Sequence, residues 1–148
     1  MKVISTNRKA SFSYHLITKY EAGIELKGSE VKAIRESKAN IKESFVRIID
    51  NELFIVGMHI GEYSHSGYTS HEPTRTRKLL MHKSEIYKLY KDSENKGKTI
   101  IPVKLYFKNN IVKIEVALAK GKKNWDKREA KKQKDVNREI DRSMKGLK

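Results

Sequence analysis

Thr99-Ile100-Ile101-Pro102-Val103-Lys104-Leu105-Tyr106-Phe107, followed by Lys108-Asn109-Asn110 and then Ile111-Val112-Lys113-Ile114-Glu115-Val116-Ala117-Leu118, is the stretch that decides the fold class. Two runs rich in β-branched and aromatic residues around a polar turn read as an antiparallel hairpin. Val112, Ile114, Val116 and Leu118 alternate with Lys113, Glu115 and Ala117, so the second strand should have one buried and one wetter face, without all four aliphatic residues being core. Upstream, Ser44-Phe45-Val46-Arg47-Ile48-Ile49 and Leu53-Phe54-Ile55-Val56-Gly57-Met58 repeat the pattern around Asp50-Asn51-Glu52. Tyr14-His15-Leu16-Ile17-Thr18 and Ala22-Gly23-Ile24-Glu25-Leu26 read as two further short strands. Helical spacing occurs at Ser29 to Glu36, with Ser29 as an N-cap lacking its box partner, and at Ser84 to Tyr90, where Ile86, Leu89 and Tyr90 share a face. Short strands without regular strand-helix alternation fit an antiparallel barrel better than a doubly wound sheet. The expected fold is mostly β with short helices, an OB-fold-like antiparallel β-barrel.

The chain has 148 residues, the size of one domain with a real core. Its 33 Lys+Arg against 18 Asp+Glu leave a formal charge of +15, and a polyanion is the partner such a balance calls for. Without cysteine there can be no disulfide, thiolate zinc site or cysteine nucleophile, which fits a reducing compartment. Met1 to Ser11 holds no apolar run of signal-peptide length, and nowhere do eighteen apolar residues follow one another. A cytoplasmic protein that does not enter the membrane is expected.

The charge is not spread evenly. Residues 120 to 148 hold twelve Lys+Arg and five Asp+Glu, so a core over 1–120 and a basic C-terminal tail over 121–148 are expected. Lys127 faces Lys131, and Arg128 faces both Lys131 and Lys132 at helical spacing, which is repulsive; the tail should be disordered when free. Asp126-x-x-Glu129 resembles a capping box, and Val136, Ile140 and Met144 recur every four residues, so a polyanion could set the segment as a helix.

RNA recognition asks for cations beside flat rings, because phosphates need counter-charge and unstacked bases need a π surface. Tyr14 and Tyr20 lie near Arg8 and Lys9, Tyr63 and Tyr68 precede Arg75-Thr76-Arg77-Lys78, and Tyr106 and Phe107 precede Lys108. The stretch from Gly61 to Lys78 has eighteen residues and no aliphatic side chain, which marks it as a long functional or disordered loop. Within it His65 and His71, flanked by Glu62 and Glu72, match no zinc spacing and read as solvated loop histidines. No nucleophile elbow, P-loop or paired carboxylates stand out, so no catalytic residue, metal or cofactor is expected.

Five strings now carry a resemblance: Asn7-Arg8-Lys9-Ala10, Tyr20-Glu21-Ala22-Gly23-Ile24, Gly28-Ser29-Glu30-Val31-Lys32, Pro73-Thr74-Arg75-Thr76-Arg77-Lys78-Leu79-Leu80, and Ala119-Lys120-Gly121-Lys122-Lys123-Asn124-Trp125-Asp126-Lys127-Arg128. In this order, over essentially the whole chain, they resemble the SsrA-binding protein (small protein B, SmpB) family. The resemblance implies an OB-fold that binds the tRNA-like domain of tmRNA and carries it to stalled ribosomes for trans-translation. It also implies a likeness in role to a missing anticodon arm, with the tail in the decoding region and mRNA channel of the small subunit, against its rRNA. A ribosomal or ribosome-assembly RNA-binding protein is the alternative from another class.

Residue by residue, the resemblance places Asn7, Glu21 and Leu80 on the RNA-contacting surface, with Lys9, Tyr14, Arg75, Arg77 and Lys78 as physically sensible neighbours. A carboxylate such as Glu21 can accept from base amino groups and so add selectivity, although a surface ion pair with a nearby lysine is the plainer reading. The ribosome-engaging tail would comprise Lys122, Lys123, Trp125, Asp126, Lys127, Arg128, Lys131, Lys132 and Ile140. Trp125 departs from the family pattern, which can hold a smaller ring such as His or Tyr there; stacking is retained and a titrating role is put in doubt. A monomer is expected.

Overall fold

The computed structural model describes residues 1–64, 71–94 and 97–122. In chain order these form β1 (Lys2–Thr6), α1 (Arg8–Ser13), β2 (Tyr14–Ile24), α2 (Gly28–Arg35), β3 (Ala39–Asn40), β4 (Phe45–Ile49), β5 (Glu52–Val56), β6 (His59–Ile60), β7 (Arg77–Leu80), α3 (Lys83–Ser93), β8 (Lys98–Lys108) and β9 (Ile111–Gly121). Seven strands make one antiparallel sheet in the order β1-β8-β9-β2-β7-β5-β4, and β3 pairs with β6 beside it. The sheet curls far enough that β4 lies against β8 and β1 against β3. The fold class is therefore mostly antiparallel β with short helices, as the patterning implies.

Both hairpins form where expected, and their turns are tighter than expected. Asp50-Asn51 and Asn109-Asn110 all take positive φ, between 50° and 64°, the backbone of a two-residue turn whose twist matches the flanking strands. Asp and Asn tolerate that region because their short side chains bond locally. The interior of the curl is filled by Leu53, Ile55, Leu79, Leu105, Ile114 and Val116, all fully buried. Ile34 of α2 and Leu89 of α3 close it off. Each such side chain contributes about 1.5–3 kcal/mol on leaving water.

The sequence expectations need several corrections. Val112, Ile114, Val116 and Leu118 are all core, because the curled sheet encloses the whole inward face of β9. The two short strands expected over 14–18 and 22–26 are one strand, β2, whose ladder with β9 runs through Lys19, Tyr20 and Glu21 after a register shift between Leu16 and Thr18. α2 starts before Ser29, with Lys27 as N-cap, and Glu30 accepts a 2.7 Å hydrogen bond from the Lys27 backbone N–H. The stretch 61–78 is not wholly a loop, because β7 takes its last two residues and lies between β2 and β5. β1 and α1 have too few apolar residues to stand out by periodicity; they are held by contacts far away in sequence, such as Asn7 N–H donating to Val103 O at 2.8 Å.

Candidate nucleic-acid interface

Residues on alternate positions of a strand share a face, and residues paired across a ladder point the same way. With Val112, Ile114 and Val116 inward, Lys113, Glu115 and Ala117 face outward from β9. Register then aligns Glu21 with Glu115 and Lys104, and Gly23 with Lys113 and Tyr106, across β2, β9 and β8. On the other side of β2, Gly23 pairs with Leu80 of β7. The outer face of β8-β9-β2-β7 thus gathers Lys19, Glu21, Leu80, Lys104, Tyr106 and Lys113. Leu80 is 49% exposed beside the side-chain-free Gly23, an apolar platform open to a flat ring.

Glu21 sits in the middle of this face. Its carboxylate accepts from the Tyr106 hydroxyl and lies 3.5 Å from Lys108 Nζ. The Tyr106 bond, with Lys108 and Lys113 nearby, holds the Glu21 carboxyl below the ordinary carboxylate range, against the opposing effect of burial. Burial and the same bond push the Tyr106 phenol up, so it stays a donor at neutral pH. The surface ion pair is present, and Glu21 remains partly exposed as an acceptor amid lysines. Lys104 and Lys19 both reach Glu115, at 3.4 and 3.6 Å, and Lys104 also lies over the Tyr106 ring. Lys113 was readable as part of the wetter face of the hairpin, whereas no local pattern or motif singles out Lys104.

α1 caps one end of the same face, where Ala10 packs on Ile101 and Ala119 with Tyr14 and Leu16 alongside. Asn7 precedes α1 and is clamped by the strand it crosses, its Nδ2 donating to Pro102 O at 3.0 Å. The ladder of β8 with β9 shifts register between Pro102 and Lys104, which is where Asn7 meets the chain. Its Oδ1 is buried with no hydrogen-bond partner among the described residues. Lys9 projects into solvent 3.9 Å from Glu43, and Tyr14 is half-buried at the start of β2. Lys122, the last described residue, is tied to the end of α1 through its N–H on Ser13 O at 2.8 Å and its Nζ on Ser11 O at 2.9 Å. Lys123, Trp125, Asp126, Lys127, Arg128, Lys131, Lys132 and Ile140 lie outside the described residues, as does the expected helix there.

The run Arg75-Thr76-Arg77-Lys78 does not act as one basic surface, because the period of two in β7 divides it. Lys78 and Leu80 face out, and Lys78 pairs with Glu52 at 3.2 Å. Arg77 and Leu79 face in. Arg77 is fully buried, with Nε on Glu30 Oε2 at 2.5 Å and Nη1 on Met58 O at 2.7 Å, and Nη2 on Pro73 O at 3.1 Å. A phosphate cannot reach it in the fold, so the expectation that Arg77 contacts RNA is corrected to an internal role. Arg75 is mostly committed to the same carboxylate, 2.7 Å from Glu30 Oε1. Burial would raise the Glu30 carboxyl, but Arg75, the Lys27 N–H and Arg77 outweigh it and lower it to about 2.

His71 is likewise not solvated. It is 5% exposed, its Nε2 meets Ile60 O at 2.9 Å and its Nδ1 lies 3.0 Å from Ser29 Oγ. No group of three or more His, Cys, Asp or Glu that could hold a metal is found among the described residues.

Residues 4–146 match the family model described as SmpB protein. The chain is similar to an SsrA-binding protein of Carboxydothermus hydrogenoformans, 52% identical over 97% of this chain and 96% of the relative. It is similar to an SsrA-binding protein of Persephonella marina at 53% identity, over 99% and 96% of the two chains. Among solved structures it is similar to a chain described under "tmRNA-SmpB: a journey to the center of the bacterial ribosome", with TM-score 0.67, 40% identity, and coverage of 84% of this chain and 92% of that one.

Proposed function

The chain belongs to the SmpB protein family, and on that premise we propose that it is an RNA-binding adaptor that binds tmRNA and brings it to stalled ribosomes for trans-translation. The outer face of β8-β9-β2-β7 holds the tRNA-like domain, and the basic tail engages the small-subunit rRNA in the decoding region and mRNA channel. The observation that supports this is the convergence of Glu21, Lys78 and Leu80 with Lys104, Lys108 and Lys113 on or beside one open sheet face, residues drawn from strands far apart in sequence. Lysines neutralise phosphates, Leu80 offers a surface to a base, and Glu21 can accept from exocyclic amino groups. The chain acts by recognition, as a cytoplasmic monomer with an OB-like barrel, and performs no catalysis and needs no cofactor.

Salt separates these roles. Lys113→Ala should lower the slope of log affinity against log salt by about one unit, whereas Glu21→Gln should reduce preference for the tRNA-like domain over other RNA with little change in slope. Gel shifts across a salt series check both. Identical slopes and preferences in parent and variants would remove this face from the interface.

A further inference from the structure

We propose that Tyr106 is the positioning residue for RNA selection on the outer face: its hydroxyl holds the Glu21 carboxylate in one orientation and leaves its charge unneutralised, so that base amino groups complete its hydrogen bonding. The inference rests on the outer face being the RNA interface. It gives Tyr106 a part in recognition that needs no contact with RNA.

Tyr106 is 3% exposed, so a base cannot stack on it, whereas the Glu21 side chain that it holds is 39% exposed. Register explains how a tyrosine of β8 meets a glutamate two strands away. Tyr106 is aligned with Lys113 of β9 and through it with Gly23 of β2, where no side chain stands in the way, and Glu21 is the next outward residue of β2. Lys104 Nζ lies 5.5 Å from the centroid of the Tyr106 ring, within cation–π reach, and helps to fix it.

Glu115, in the same row between Glu21 and Lys104, shows the alternative fate of a carboxylate here. Lys104 and Lys19 reach it at 3.4 and 3.6 Å and its side chain is 17% exposed, so its charge is neutralised within the protein. Glu21 instead receives a neutral donor on Oε2, and Lys108, with a side chain 54% exposed, lies 3.5 Å from Oε1. A carboxylate has about four acceptor sites, so a phenol and one loosely held ammonium leave sites for an incoming donor. An untethered glutamate on an open face would sample several rotamers, and an acceptor that must be ordered on binding discriminates less well than one already in place. The Tyr106 bond is also the foremost reason that the Glu21 carboxyl lies below its ordinary range, which keeps it an acceptor.

Competition gel shifts of the full chain, with labelled tRNA-like domain and ordinary tRNA as competitor, test this as a double-mutant cycle. Tyr106→Phe keeps the ring and removes only the donor; it should reduce the preference for the tRNA-like domain about tenfold with the salt slope unchanged. In the Glu21→Ala background the same change should cost nothing further, because Tyr106 acts through Glu21. An NMR titration of the free protein should show the Glu21 midpoint rising toward the ordinary carboxylate range in Tyr106→Phe, and an unmoved midpoint would overturn the positioning role. If Glu21→Ala loses the preference while Tyr106→Phe keeps it, that role is overturned and the interface stands. A loss of the same size with and without Glu21 would make Tyr106 a packing residue and overturn it as well. If Glu21→Ala keeps the preference, or the parent has none, the reading of the face itself falls and the inference falls with it.

Discussion

Glu30→Ala should cost about 3–5 kcal/mol of folding stability, because it leaves a fully buried arginine without its counter-charge. Glu30 joins α2 to the segment leading into β7: it receives Arg75 and Arg77 through separate oxygens and caps Lys27 N–H as well. Arg77 in turn donates to Met58 O and Pro73 O, so one carboxylate anchors backbone from three places. Removal therefore frees β7, and with it Lys78 and Leu80, and RNA affinity should fall along with stability. Glu52→Ala is the comparison. It removes an ion pair to Lys78 whose two side chains are 37% and 50% exposed, and such pairs contribute about 0–1 kcal/mol. Denaturant unfolding of both variants checks the ranking, and equal losses would mean the buried cluster is no keystone.

The same carboxylate sets an acid limit. Its folded-state value, lowered from 4.5 to about 2, means that its contribution is fully present above 4.5 and is lost as pH falls through that interval toward 2. Glu30→Gln should flatten the stability profile there while being less stable than the parent at neutral pH.

In the tail the expected effect is on function and not on the fold. Ile140→Pro should abolish tagging of stalled messages while leaving affinity for the tRNA-like domain at the parent level. The expectation follows from the proposed role of the tail, in which repulsion among Lys127, Arg128, Lys131 and Lys132 would oppose a helix until rRNA supplied counter-charge, with nucleation costly even then. Proline removes a backbone donor and clashes with the preceding turn, about 3 kcal/mol or more against that folding step. Lys127→Ala with Arg128→Ala should fail for the complementary reason, loss of the charges proposed to engage the decoding region. β9 ends at Gly121 and Lys122 is tied to α1, and all three substituted positions lie outside the described residues. A tagging assay paired with a gel shift reads both halves. Parent-rate tagging by both variants would make the tail a passive extension.

Much of this architecture was legible in the residues. The hairpins announced themselves by runs of β-branched and aromatic residues around Asp50-Asn51-Glu52 and Lys108-Asn109-Asn110, and the outward position of Lys113 followed from the alternation over 112–118. What was hidden depended on pairing across long separations. Arg77 looks like one more cation in a basic run, and only the placement of β7 between two strands, opposite Glu30, turns it inward. His71 and α1 are similar cases, since the partners that bury them, Ser29 with Ile60 and Pro102 with Val103, lie at distances no local pattern encodes. Asn7, Glu21 and Leu80 were reached through resemblance, because an asparagine, a glutamate and a leucine carry no chemistry of their own that marks an RNA surface.

The central claim is that this outer face recognises the tRNA-like domain and not nucleic acid in general. A single competition gel shift tests it: labelled tRNA-like domain bound to the full chain, challenged with ordinary tRNA, for the parent and for Glu21→Gln with Leu80→Ala. The account predicts that the parent complex survives a large excess of ordinary tRNA and that the double variant loses this preference while still binding RNA weakly through its lysines. Equal competition by ordinary tRNA against the parent complex would contradict it.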